Sequence, residues 1–343
     1  MEINEPHPEG PERLLNVKSI LEKGPIRERF NWQVGRHATL DEIAYFHTPQ
    51  YIDFVLTAEQ DTPSRIDGSG TVVNPGTIDA IMAAAGSSIE AVNCVIKNES
   101  QCAYALVRPP GHHAQPGVAD GNCIFNNVAI AAQHALRSGI QKVAIIDWDV
   151  HHGNGTQQGF YERDDVLTIS IHMPLGDWSD HHPQKGTVEE VGKDQGRGFN
   201  INLPLRYGAG DQAYQKVMEE IVMPQVRDFQ PELIIIACGQ DANQLDLNGR
   251  NLLSMQGFRQ LGHLANKLAQ ELCDGKLVLI QEGGYAITYT AFCMYAITEG
   301  ILGIDKPMAD PMAYDCSIEK PDYVIEQIEG FKEGWQAALS MHR

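Results

Sequence analysis

Between Asp147 and Gly155 the chain reads D-W-D-V-H-H-G-N-G, directly after the apolar run Val143-Ala144-Ile145-Ile146. Two carboxylates and an imidazole therefore stand where a buried strand ends, which is the donor chemistry of a metal site at the place where α/β sheets bind ligands. Upstream, R-P-P-G-H-H at Arg108 to His113 follows the apolar run Ala103 to Val107 and offers two adjacent imidazoles for general acid–base work. Three further motifs fall at or beyond the ends of apolar runs: S-I-H at Ser170 to His172, C-G-Q-D at Cys238 to Asp241 and Q-E-G-G-Y at Gln281 to Tyr285. Taken singly, each has a bland reading. Paired histidines are often structural, D-x-D-x-H can be a capping or salt-bridge cluster, and Gly-Gly is ordinary turn punctuation. In a parallel sheet, however, all strand ends lie on one edge, so the five motifs converge.

The elements that must position them follow from hydrophobic period. Strands are predicted at Ala103 to Val107, Val143 to Asp147, Leu167 to Ile171, Leu233 to Cys238 and Leu277 to Gln281. Helices are predicted at Thr77 to Lys97, Asn127 to Arg137, Gln212 to Asp228, Met255 to Cys273 and Asp322 to Leu339. In the last of these, Val324, Ile328, Phe331, Trp335 and Leu339 form one apolar stripe, read as core packing. The alternation of the two element types predicts an α/β protein with an open, mostly parallel β-sheet and helices on both faces. With 343 residues, 43% hydrophobic, and neither repeat nor long linker, one domain over 1–343 is expected. The irregular stretch Met173 to Arg197 is a candidate active-site loop.

Twenty-six basic against 45 acidic residues give a net charge of −19, which argues against nucleic acid or an anionic membrane as partner and suits a cationic substrate. No spanning segment of ~20 apolar residues and no signal-peptide core is read in the chain, so a cytoplasmic location is expected. Seven scattered cysteines without C-x-x-C read as reduced core residues.

Together the motifs resemble those of the histone deacetylase superfamily, with its arginase-deacetylase fold. The resemblance runs from about His7 to Gly303. It includes H-P-E-G-P-E-R-L at His7 to Leu14, H-T-P-Q-Y-I at His47 to Ile52, Asn126-Asn127 and G-F-N-I-N-L-P-L at Gly198 to Leu205. Asn154 in H-H-G-N-G, the D-W-D-V strand end and S-I-H resemble the class II branch and its bacterial histone deacetylase-like amidohydrolases. The resemblance implies zinc held by Asp149, His151 and Asp241, with Fe(II) as the other metal such an oxygen-rich site accepts. It implies a catalytic dyad at His112 and His113, oriented by Asp147 and Asn154, and Tyr285 as stabiliser of the amide oxyanion after the mobile pair Gly283-Gly284. It further implies a structural potassium ion at Asp147 and Ser170. His152 is expected to bond backbone near the metal loop, and His172 to be structural.

The pocket departs from the family pattern. Gly121-Asn122 stands where a glycine-phenylalanine is usual, and His181-His182-Pro183 is the nearest match to a Phe-Phe-Pro, so both aromatic walls of a lysine tunnel are replaced. Asp67, in the rim candidate Thr62 to Pro75, is read as a substrate-backbone acceptor or only a turn residue. The short segment before His7 leaves one rim short or supplied by a second copy in a homo-oligomer. The expected reaction is hydrolysis of an acyl-amine amide, from acetyl-lysine, an acetylpolyamine or a small secondary amide. The alternatives are a non-catalytic acyl-amine binding protein and a binuclear manganese ureohydrolase, whose second metal lacks a ligand because Asp241-Ala242 is followed by Asn243.

Overall fold

The computed structural model describes residues 8–68, 70–174, 185–313 and 319–341. In chain order its strands are β1 (Ser64–Arg65), β2 (Val72–Val73), β3 (Cys102–Ala105), β4 (Val143–Asp147), β5 (Val166–His172), β6 (Asn200–Pro204), β7 (Leu233–Cys238) and β8 (Leu277–Gln281). The helices are α1 (Glu12–Lys23), α2 (Leu40–Ile43), α3 (Pro49–Ala58), α4 (Thr77–Ile96), α5 (Asn127–Arg137), α6 (Asn154–Phe160), α7 (Asp211–Val217), α8 (Met223–Phe229), α9 (Met255–Leu272), α10 (Ile287–Leu302) and α11 (Pro321–Ser340). β1 and β2 form a small antiparallel pair, and the other six strands make one sheet in the order β3-β8-β7-β4-β5-β6. Every neighbouring pair in that sheet is parallel.

Strands covered on both faces carry unbroken apolar runs, and β4, β7 and β8 are buried at every position. The two-residue period divides them between two cores. Ala144, Ile146, Ile234, Ile236 and Leu279 pack with α1 and α7 to α11, whereas Val143, Ile145, Leu233, Ile235 and Ile280 pack with α2 to α5. Each such aliphatic side chain taken from water is worth about 1.5–3 kcal/mol. From β3 the chain passes through α5 to β4 and on to β5 and β6, then returns through α7 and α8 to β7 on the other side of β4. Strand order thus reverses between β4 and β7, and a crevice opens beyond the C-terminal ends of strands at such a switch point.

Several expectations change in detail. β3 ends at Ala105 rather than Val107, because this edge strand pairs β8 only from Cys102 to Ala105. The helix expected over Gln212 to Asp228 is instead α7, a π-turn at Met218–Val222, and α8. Pro224 lacks the N–H for a bond to the Glu220 carbonyl and its ring crowds that oxygen, which the wider turn accommodates. β6 was not foreseen as a strand, since its alternating asparagines look polar. Asn200 and Asn202 are buried, and both donate to Gln157 Oε1, at 3.1 and 2.8 Å.

The expectation of no span-length apolar segment is corrected by α4, whose 20 residues are long and apolar enough by composition. Its Ile81, Ala85, Ile89, Val92 and Val95 are buried in the core beside α5 and β3, the position of a core helix. Among the described cysteines all are free thiols, and Cys123, Cys238, Cys273 and Cys293 are buried.

Candidate active site

The loops leaving β3, β4, β7 and β8 meet over the β4–β7 crevice. After β4 the chain keeps its alternation for a few residues: Trp148 and Val150 are fully buried in the core, which turns Asp149 toward the crevice. One donor atom each from Asp149, His151 and Asp241 lies within 4.8 Å of the other two. His151 Nδ1 stands 3.1 Å from Asp149 Oδ1 and 3.0 Å from Asp241 Oδ2. The carboxylates are aimed by backbone donors: Gly283 N–H reaches Asp149 Oδ2 at 2.7 Å, and Val150 N–H reaches Asp241 Oδ1 at 2.8 Å. Burial alone would lower the His151 imidazole, but Asp241 and Asp149 hold it up at about 10. Burial and the like charge of Asp149 push Asp241 up to about 7. Two buried carboxylates converging on one point need a positive charge there, and this oxygen-rich donor set with one imidazole fits a divalent cation.

The two histidines of R-P-P-G-H-H sit beside this trio with ring centroids 4.0 Å apart, and His113 lies 6.0 Å from the His151 ring. Their tautomers follow from their partners. Asn154 Nδ2 donates to Asp120 Oδ2 at 3.1 Å, which leaves Asn154 Oδ1 to accept the proton of His113 Nδ1 at 2.7 Å. The other nitrogen of His113, Nε2, then carries no proton. Burial and the neighbouring His112 push this imidazole down to about 3, so it is neutral. His112 Nδ1 meets Asp147 Oδ2 at 2.8 Å. Burial would lower His112, but Asp147 and Asp149 outweigh it and raise it well above an ordinary histidine.

Tyr285 is half-buried, and burial pushes its phenol well above the usual value, which keeps the proton on it. Its backbone N–H and that of Ala286 donate to Asp246 Oδ2 at 2.6 and 2.9 Å. The Arg13 guanidinium lies 4.7 Å over its ring and donates to the carbonyls of Glu282 and Gly284, both at 2.6 Å. Arg13, Glu282, Asp246 and Asp120 were not assigned roles from sequence. Arg13 and Glu282 lie inside the H-P-E-G-P-E-R-L and Q-E-G-G-Y motifs, the one signal that could have drawn attention to them; Asp120 and Asp246 sit in loops whose spacing encodes no partner.

The remaining candidates fall around this centre. A β-carbon on Gly283 would run into Asp241 Oδ2 and Asp149 Oδ2, so the residue is glycine because the Asp149 and Asp241 carboxylates pack against its backbone. Gly284 has φ +123°, and Gly121, at φ +52°, lies against the His113 ring. A β-carbon at 121 would stand 2.5 Å from His113 Cδ2. Gly121→Ala is therefore expected to displace the base and lower kcat on the order of 10²-fold with metal content unchanged, as steady-state kinetics beside metal analysis would register.

Asn122 is half-buried, with its N–H on Thr71 Oγ1 at 3.0 Å. Both oxygens of Asp67 hold its own loop, accepting from Gly70 N and Thr71 N at 2.7 Å each and from the Thr71 hydroxyl. His182 lies outside the described residues. Ser170 pairs in register with Asp147, and its Oγ bonds His172 Nδ1 at 2.9 Å. Asp147 and Ser170 also line a small internal cavity with Gln157 and Thr168. His172 Nε2 donates to Gly186 O at 3.0 Å. His152 Nε2 meets the Gln157 side chain at 2.8 Å rather than backbone, because the polar core beneath β6 supplies an acceptor there.

Comparison with known proteins agrees with this geometry. The model of the histone deacetylase domain matches residues 7–301. Histone deacetylase 8 of Arabidopsis thaliana is 45% identical over 92% of this chain and 84% of its own length. The histone deacetylase-like amidohydrolase of Pseudomonas aeruginosa is 36% identical over 94% of this chain and 84% of its own. The crystal structure of the HDA15 HD domain superposes with a TM-score of 0.84 at 30% identity, covering 99% of this chain and 94% of that one. With a family match over nearly its whole length and the strand-end motifs gathered at one crevice, this chain belongs to the histone deacetylase domain family.

Proposed function

We propose that the protein is a zinc-dependent amidohydrolase that removes a short acyl group from an amine. The observation that carries this reading is the placement of two imidazoles, one with its tautomer fixed as a base, beside the Asp149–His151–Asp241 trio. Those three residues would hold the metal, zinc or Fe(II). When bound, such a cation supplies a Lewis acid for the amide carbonyl and lowers the pKa of a coordinated water. His113 Nε2 takes a proton from the attacking water and returns it to the departing amine, while Asn154 keeps Nδ1–H in place. His112, paired with Asp147, adds positive charge near the developing oxyanion. The Tyr285 phenol donates a hydrogen bond to that oxygen, held by Asp246 and Arg13 through the loop rather than through the hydroxyl. A structural potassium ion at Asp147 and Ser170 belongs to the same reading, supported by the buried oxygens that Asp147, Thr168 and Ser170 bring to one small cavity.

Asn122 in place of an aromatic wall favours a small or atypical amide over a protein-borne acetyl-lysine, and the net charge of −19 favours a cationic amine. A binuclear centre is disfavoured because Asn243 turns into its own loop, donating to Gln240 O at 2.6 Å and accepting from Leu245 N at 2.9 Å. Tyr285→Phe tests the mechanism. Turnover is expected to fall about 10²–10³-fold with metal stoichiometry unaltered, the size of one lost oxyanion donor. Unchanged turnover would remove Tyr285 from the reaction.

A further inference from the structure

A second set of donors lies against the dyad. One oxygen of Glu282, the Cys123 sulfur and one ring nitrogen of His112 lie within 4.8 Å of one another, all three side chains buried. The hydrolytic reading uses only the histidine. Glu282 is half-satisfied as a structural residue. Its Oε2 accepts Gly111 N–H at 2.6 Å and His112 N–H at 3.1 Å, while Oε1 is sealed from solvent with no hydrogen-bond partner. The Cys123 thiol beside it makes a long contact to Gly121 O at 3.5 Å and meets the His113 backbone. Because Asp147 occupies His112 Nδ1, Nε2 is the ring nitrogen left to face a ligand.

We propose that His112, Cys123 and Glu282 form a second cation site, separate from Asp149–His151–Asp241, for a thiophilic divalent ion such as zinc, cobalt or cadmium. One nitrogen, one sulfur and one oxygen donor select such ions over magnesium or calcium. Donors around a four-coordinate zinc stand roughly 3.3–3.8 Å apart, so closure by at most about 1.5 Å completes the set. Binding displaces to solvent the thiol proton, the Nε2 proton of His112 and the proton that burial favours on the Glu282 carboxyl, and gives Glu282 Oε1 its missing partner. It also captures His112 Nε2, so a second ion inhibits hydrolysis. That inhibitory consequence rests on the hydrolase reading; binding itself does not.

The test adds Co²⁺ to metal-free, full-length protein and follows the near-ultraviolet thiolate-to-cobalt charge-transfer band. The Asp149–His151–Asp241 trio has no sulfur and gives no such band. The first equivalent is expected to be silent and the second to bring the band up, while turnover of an N-acetylated amine falls at least tenfold. Cys123→Ser should keep the first equivalent and lose the band, and Glu282→Gln should weaken the second at least tenfold. No band through several equivalents, or a full band in Cys123→Ser, overturns the site. Should Cys123→Ser fail to fold, Glu282→Gln decides. A band in a wild-type protein that turns over nothing would sink the hydrolase reading and leave the site standing.

Discussion

Asp241→Asn is expected to abolish metal retention at the Asp149–His151–Asp241 centre, and with it turnover, while leaving the fold intact. Asp241 Oδ2 faces His151 and Asp149, and Oδ1 accepts the Val150 N–H at 2.8 Å inside the core. Asparagine keeps an oxygen for Val150 but brings no charge to the centre, which separates the ligand role from the structural one. Alanine would do both kinds of damage, since the buried Val150 N–H loses its acceptor at about 1–3 kcal/mol. Changing a residue that merely supports a ligand weakens metal affinity 10–100-fold, so loss of the ligand itself should exceed about 100-fold. A Lewis acid bound there would lower the barrier by several kcal/mol, so without it kcat should fall on the order of 10³-fold or more. Metal analysis after dialysis, thermal unfolding and acetate release together check it. An Asn variant that retains one metal per chain would place the cation elsewhere.

Replacing His113 by glutamine should produce the complementary phenotype: full metal content with kcat lowered about 10²–10⁴-fold, the range of a positioned general base. Glutamine can still donate to Asn154 Oδ1 but offers no basic nitrogen. Because His113 is held through Nδ1 by Asn154 Oδ1 at 2.7 Å, while it is His112 that approaches Asp149 Oδ1 at 3.7 Å, the metal set should survive the loss of His113. A His113→Gln enzyme within a few-fold of wild type would mean that His112 is the base and that the tautomer argument through Asn154 and Asp120 is wrong.

The site was legible in the sequence to the extent that chemistry sits at strand ends. An apolar run followed at once by D-W-D-V-H-H says both where the chain leaves the sheet and which donors it carries. The same holds for Cys238 to Asp241 and Gln281 to Tyr285, because the fully buried strands β7 and β8 announce themselves as unbroken apolar runs. β6 was missed although Asn200-Ile201-Asn202-Leu203 alternates; what the alternation hides is that its polar face is also inside, with Asn200 and Asn202 buried and satisfied by Gln157. The supports of the site were hidden likewise. Arg13 clamps the loop after β8 across 269 and 271 residues of chain, and no local pattern encodes such a partnership. Asp67 was readable only as an acid in a turn; that its loop reaches the pocket wall through Thr71 and Asn122 is a tertiary fact.

The central claim is amide hydrolysis at Asp149, His151 and Asp241, and direct measurement of acetate release tests it. Zinc-loaded protein would be given an acetyl-lysine peptide, an acetylated polyamine and a small neutral amide side by side, with Asp241→Asn as control. The expected result is stoichiometric acetate and amine from wild type only, faster with a small amide than with the peptide, as the Asn122 wall implies. One bound zinc per chain with no acetate from any of the three would contradict the account and leave a protein that binds acylated amines without cleaving them.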